Sequence, residues 1–242
     1  MDCLNIDENT MILQGEALSI LQKMPADSVD AVITDPPYST GGMTLASKQI
    51  SPAQKYQNSG TKKIYPVMLG DTRDQRSYVF WATLWLSECW RVARDGSPLL
   101  VFTDWRQLPS LTDAVQAAGF LWRGVIVWHK PSARPMMGEF RRDSEFIVYG
   151  SKGKPHRHTR KCFPGVIKCP VNTAAKVHIT GKPLPLLQEL MEIVKPGGTV
   201  LDPFLGGGTT AHAAMLTDRK CIGVELSPDY VKLSAERLLN ID

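Results

Sequence analysis

Four consecutive residues, Asp35-Pro36-Pro37-Tyr38, set a carboxylate, a rigid turn and an aromatic ring side by side. Proline has a locked φ and no amide proton, so the pair fixes the Pro36 carbonyl and aims the Asp35 side chain. The preceding Val29-Asp-Ala-Val-Ile-Thr34 is rich in β-formers and runs straight into prolines that a central strand cannot accommodate. The turn is therefore expected at the carboxyl end of a strand. Its chemistry suits a planar substrate with an amino group. Asp35 and the Pro36 carbonyl would accept its N–H protons, and Tyr38 would stack on it. The competing interpretation is an ordinary Asp-Pro turn with a surface tyrosine.

A second constellation is Leu201-Asp-Pro-Phe-Leu-Gly-Gly-Gly-Thr-Thr210, between an expected strand and an expected helix. Glycines let a backbone approach a ligand closely, and a helix N-terminus presents free N–H groups. Gly206-x-Gly208-x-x-Ala211 resembles the dinucleotide fingerprint, and Glu225 follows 19 residues after Gly206, where an acid binds ribose hydroxyls. This pattern leaves a nicotinamide cofactor and S-adenosylmethionine both open, since each presents an adenosine ribose. No Lys-Ser/Thr follows the glycines, so a triphosphate loop is excluded. A glycine turn serving only helix–strand packing is the remaining alternative.

Around these turns, strand and helix patterns alternate. Helices are expected at Ala17 to Met24, Ser77 to Arg94 (Phe80, Leu84, Trp81 and Trp85 inward), Asp104 to Gly119, Pro183 to Val194, Thr209 to Leu216 and Pro228 to Leu239. Strands are expected at Val29 to Thr34, Pro98 to Thr103, Leu121 to Trp128, Ser144 to Tyr149, Thr199 to Leu201 and Cys221 to Val224. Short apolar strands between amphipathic helices imply an α/β fold: a doubly wound, mostly parallel, Rossmann-like sheet with helices on both faces.

The chain has 242 residues, 43% hydrophobic and 21% charged, which excludes disordered, collagenous and coiled-coil classes. No apolar run approaches the roughly 20 residues of a membrane span. The polar N-terminus and the five cysteines, an odd number, lead us to expect a reduced, cytoplasmic compartment rather than a disulfide framework. The net charge of +4 hides an uneven distribution. Residues 130–176 hold 11 Lys/Arg against 3 Asp/Glu, and residues 39–70 hold four lysines and no acid. A mildly acidic body thus bears two basic, loop-like segments that suit a polyanion. His156, His158, Cys162 and Cys169 match no common zinc spacing, so no metal is expected. His212 is expected to pack.

Together the two turns resemble the amino-group DNA methyltransferases, whose motifs are Asp-Pro-Pro-Tyr and Asp-Pro-Phe-x-Gly-x-Gly-Thr-Thr. Their order here resembles the permuted β group of that family. Leu13-Gln-Gly15-Glu16 resembles the family's Gly-Asp segment, with Glu16 in place of the acid that contacts the cofactor adenine. His178-x-x-x-Lys182-Pro183 resembles its His-x-x-x-Lys-Pro segment, near the cofactor's methionine end. Trp128-His-Lys130 and Glu145 to Tyr149 resemble the strands that frame a variable target-recognition region.

The resemblance implies one methyltransferase domain over 1–242, with an inserted basic loop at 39–76 and a target-recognition segment at 130–177. It implies catalysis by Asp35, Pro36, Pro37 and Tyr38. The implied cofactor is S-adenosyl-L-methionine, held by Gly15, Glu16, Asp35, His178, Lys182, Pro183, Asp202, Pro203, Phe204, Gly206, Gly208, Thr209, Thr210 and Glu225. Duplex DNA would be contacted by Lys48, Lys55, Lys62, Lys63, Arg134, Arg141, Arg142, Arg157, Arg160 and Lys161. The target would be flipped out of the duplex, because its amino group is unreachable inside the stack. Aspartate at the first motif position points to N6 of adenine. N4 of cytosine, an RNA substrate and a catalytically silent nucleic-acid-binding protein are the alternatives. A homodimer and a cognate restriction enzyme are compatible partners.

Overall fold

A computed structural model of the protein describes residues 2–39, 74–171 and 181–241. Lys48, Lys55, Lys62, Lys63 and His178 lie outside the described residues. Among the described residues nine strands form one sheet: β1 (Asp2–Asn5), β2 (Thr10–Gln14), β3 (Ala31–Thr34), β4 (Pro98–Thr103), β5 (Leu121–His129), β6 (Ser144–Ser151), β7 (Val166–Lys168), β8 (Thr199–Asp202) and β9 (Lys220–Glu225). Their spatial order is β1-β2-β9-β8-β3-β4-β6-β5-β7. The run from β2 to β4 is parallel throughout, while β1 and β6 run antiparallel to their neighbours.

Helices cover both faces. On one lie α1 (Ala17–Leu21), α2 (Gln75–Val92) and α3 (Leu108–Ala117); on the other lie α4 (Leu184–Met191), α5 (Thr209–Leu216) and α6 (Pro228–Leu239). Central strands alternate between the two cores with the period of two that a pleated backbone imposes. Ile33, Leu100, Phe102 and Val200 face α4 and α5, whereas Val32, Leu99, Val101 and Leu201 face α2 and α3. Thus the doubly wound, mostly parallel α/β architecture is present. The sequence pattern did not disclose β1, β2 or β7. All of β1 is exposed and β7 has only three residues, so neither carries an apolar signature.

One helix face needs correction. Tyr78, Ala82, Trp85, Leu86 and Cys89 are fully buried on α2, whereas Phe80 is 69% exposed and Leu84 39% exposed. The inward stripe is set by Tyr78 and Trp85, and Phe80 points away. Asp104 accepts the amides of Arg106 and Gln107 in the turn that precedes the regular part of α3.

The winding creates one crevice. From β3 the chain crosses through α2 to β4 on one side, and from β8 it crosses through α5 to β9 on the other. The carboxyl ends of β3 and β8 are therefore a topological switch point, where open α/β sheets bind ligands. Asp35 and the glycine turn emerge there together. Among the described residues no helix is long and apolar enough to cross a membrane.

Removing the buried indole in Trp85→Ala should cost roughly 3–5 kcal/mol of unfolding free energy. Phe80→Ala should stay within about 0.5 kcal/mol of the parent, as exposed positions do. Chemical denaturation of the two variants checks this.

Candidate active site

The two strand ends are tied across the crevice. The Thr34 hydroxyl at the end of β3 donates to Asp202 Oδ1 at the end of β8, at 2.6 Å. The Phe204 amide donates to the same oxygen at 3.0 Å. Asp202 is buried, and removal from water lifts its carboxyl to about 6 although Thr210, Thr34 and the Phe204 amide donate to it.

After Asp202 the chain turns through the glycines. Gly208 has φ 78°, the left-handed conformation that favours glycine, and a Cβ there would lie 3.0 Å from Ser234 Cβ on α6. This glycine serves helix packing and does not line the cavity. Gly206 does: its amide donates to Glu225 Oε2 at 2.9 Å, while Glu225 Oε1 accepts the Ser227 amide at 2.8 Å. Burial pushes the Glu225 carboxyl upward against these donors. Opposite, Glu16 caps α1 by accepting the amides of Leu18 and Ser19.

These turns enclose a cavity of about 330 Å³. Of the residues expected to hold a cofactor, Gly15, Glu16, Asp35, Lys182, Asp202, Pro203, Phe204, Gly206, Thr209, Thr210 and Glu225 line it. Pro183 does not; it caps α4 at the cavity's edge. The sequence did not point to Trp81, which lines the cavity from α2 and stacks at an angle against Phe204, their ring centroids 5.5 Å apart. Phe102, Leu187 and Tyr230 complete the apolar wall. Of the charged groups around the cavity among the described residues, Glu16, Asp35, Asp202 and Glu225 are acidic and Lys182 is basic.

Asp35 joins this cavity to a second arrangement. Tyr38 Oη donates to Asp35 Oδ1 at 2.7 Å, and Lys182 Nζ donates to Asp35 Oδ2 at 2.7 Å. Lys182 also lies 3.4 Å from Glu145 Oε2 and packs over the Tyr38 ring, 5.1 Å from its centroid. One face of the tyrosine is thereby occupied. Glu145 Oε1 in turn accepts Lys130 Nζ at 2.9 Å. Burial raises the Asp35 carboxyl above its ordinary value, with Lys182 and Tyr38 opposing. Glu145 behaves oppositely: burial pushes it up, but the Lys182 and Lys130 ammonium groups outweigh that and hold it below the usual range. Pro36 is buried behind the turn, and Pro37 faces the cavity.

The basic residues expected to meet a polyanion fall into two places. β5 ends and β6 begins at the edge that carries Asp35, since Thr103 at the end of β4 pairs with Phe146, and Phe146 with Val127. The intervening loop, residues 130–143, exposes Arg134, Arg141 and Arg142, with Met137 and Phe140 each 98% exposed. Arg157, Arg160 and Lys161 are not brought there. They follow β6, which runs the other way, so their segment starts at the opposite edge. His156 packs against Gly96 before β4, and His158 and Lys161 bond Glu192 after α4. His212 approaches Arg237 at 3.3 Å and does not line the cavity.

Comparison with known proteins follows this geometry. The DNA methylase family model for N6 and N4 methylases matches residues 29–236. The putative methylase YubD of Escherichia coli K12 is 28% identical over 228 residues, 93% of this chain and 88% of the relative. The M1.HpyAVI–SAM complex superposes with a TM-score of 0.68 at 23% identity, covering 96% of this chain and 100% of that one. The PvuII cytosine-N4-specific DNA methyltransferase superposes with a TM-score of 0.72 at 18% identity, covering 97% and 87%.

The Asp202 carboxyl generates a pH dependence. Its folded value of about 6 lies above the ordinary 3.8, so the folded chain holds this proton more tightly than the unfolded chain. Stability should therefore decline as pH rises between those values. Asp202→Asn should remove the part of that slope that Asp202 supplies in denaturation series spanning the window; Asp35 and Glu225, also raised, act in the same direction, while Asp30 and Glu145, lowered, act against it.

Proposed function

Since the chain belongs to the N6/N4 DNA methylase family, we propose that it transfers a methyl group from S-adenosylmethionine to N6 of adenine in duplex DNA, with the base flipped out of the helix. The observation that carries this is Asp35 itself, which lines the cavity together with Lys182 and also accepts Tyr38, a residue that does not line it. A carboxylate in that position touches both the space for a donor and the space for an acceptor base.

The cofactor choice rests on charge. A dinucleotide would bring an anionic pyrophosphate to walls bearing four carboxyl groups and one lysine. S-adenosylmethionine brings a sulfonium cation, which such walls favour and to which the faces of Trp81 and Phe204 are also suited. Glu225 and Gly206 would hold the ribose, Glu16 the adenine end, and Asp202 with Thr210 the floor of the site. When bound, the cofactor supplies an electrophilic methyl group on sulfur.

The residues of this chain then act on the base. An exocyclic amine is a poor nucleophile while its lone pair is delocalised into the ring. Asp35 and the Pro36 carbonyl would accept its protons and localise that pair on nitrogen, and the rigid Pro-Pro turn keeps the acceptors in place. On methyl transfer the nitrogen loses one proton. Asp35, with its proton affinity raised by burial, is the base positioned to take it. Tyr38 would stack on the flipped ring. Aspartate at position 35 favours adenine; the fold shared with a cytosine-N4 enzyme keeps N4 of cytosine as the second reading. Arg134, Arg141 and Arg142 on the exposed loop would meet phosphates and groove edges.

Incubation with labelled S-adenosylmethionine and unmethylated genomic DNA should label the DNA, and nucleoside analysis should find N6-methyladenine. N4-methylcytosine would overturn the adenine assignment, and labelling of RNA but not DNA would overturn the DNA assignment. Asp35→Ala should reduce the transfer rate by about 10²–10⁴-fold while cofactor binding is largely kept. Changing Arg141 and Arg142 together to Ala should lower the slope of log affinity against log salt by up to about two.

A further inference from the structure

Each oxygen of Asp35 already takes one strong donor, so a substrate amine that docks there competes with Tyr38 and Lys182 for the carboxylate's charge. Tyr38 Oη and Lys182 Nζ stand 2.7 Å from Asp35, and each stands 3.4 Å from the same alternative acceptor, Glu145 Oε2. Two donors thus share two carboxylates with the same asymmetry. A shift of under about 1 Å by either would exchange Asp35 for Glu145 at hydrogen-bond distance. Glu145 is the second residue of β6.

Glu145 is also held from the other side. Its Oε1 takes Lys130 Nζ at 2.9 Å, and Lys130 opens the loop that exposes Arg134, Arg141 and Arg142. The loop's two stems are clasped by the Lys130 amide donating to the Asp143 carbonyl at 2.6 Å and by His129 near Asp143 at 3.5 Å. Ion pairs therefore link the exposed loop through Lys130, Glu145 and Lys182 to Asp35, the Glu145–Lys182 member being the longest. In a site shielded from water such bonds are strong, so removing one member alters the others' partners.

We propose that Glu145 is a positioning residue that receives Lys182 and Tyr38 from Asp35 when the target amine enters, and that Lys130 ties this exchange to the loop that meets the nucleic acid. The proposal rests on the methyl-transfer reading and deepens it. Glu145 touches neither the cavity nor the transferred group; it acts by deciding how much of Asp35 is available. Without its charge, Lys182 stays on Asp35 and the amine competes poorly.

The test uses the full chain, S-adenosylmethionine and unmethylated genomic DNA. Glu145→Gln should lower kcat about 30-fold with both KM values within about threefold, the signature of a group needed after binding. Glu145→Asp, which keeps the charge on a shorter arm, should recover most of that loss. Lys130→Met, which leaves Asp35 and Lys182 untouched, should lower kcat about fivefold and raise the KM for DNA. A kcat for Glu145→Gln within about threefold of the parent overturns the proposal, as does a loss that appears only in KM. Should Glu145→Gln unfold, as thermal melting would reveal, Lys130→Met decides: parental kcat and KM for DNA overturn it. No methyl transfer to DNA by the parent chain overturns the underlying reading instead, a result distinct from all of these.

Discussion

Two carboxylates, the half-buried Asp35 and the buried Asp202, stand at the carboxyl ends of neighbouring parallel strands. Charged oxygens in such a place are tolerated only if donors reach them, and the surrounding structure is arranged to provide those donors. Asp202 takes the Thr34 hydroxyl from the next strand and the amide of its own turn. Asp35 takes Tyr38 from its own turn and Lys182 from just ahead of α4. The register of β3 against β8, the start of α4 and the prolines after Asp35 all serve this requirement. Burial also leaves both acids with raised proton affinity, which matters for Asp35 as a base and for Asp202 as a source of pH sensitivity.

The same placement of charge separates cofactor classes that the glycine turn alone leaves open. A glycine turn before a helix suits any adenosine ligand, and its amides favour anions. The walls contributed by Glu16, Asp35, Asp202 and Glu225 reverse that preference toward a cation. These four residues are spread over most of the chain, and their shared surroundings arise only when β2, β3, β8 and β9 lie in order. Trp81 shows a related effect. Helical periodicity indicates which residues share a face of α2, yet only the packing of α2 over β8 turns one of them into a wall of the cavity beside Phe204.

Charge outside the cavity was partly misleading when summed along the chain. The basic stretch after β5 divides because β6 runs antiparallel: its first part projects from the edge that carries Asp35, and its later part begins at the other edge. Lys161 there is engaged with Glu192 and not with the site. A local excess of arginine and lysine therefore marks a polyanion surface only once strand direction is known.

Residue type and local order by themselves determined the alternation of strands and helices, the mostly parallel sheet, and the two turns that carry Asp35 and Gly206, because each depends on short-range preferences: β-branched runs, proline geometry, glycine conformation and helical period. Phe80 and Leu84 mark the limit of such inference, since an apolar side chain can satisfy helical periodicity without being covered. The pairing of Lys182 with Asp35, 147 positions apart, and the Lys130–Glu145 link across a loop were decided only by tertiary structure. Charged groups choose partners by distance and dielectric, and neither exists until the strands are placed side by side.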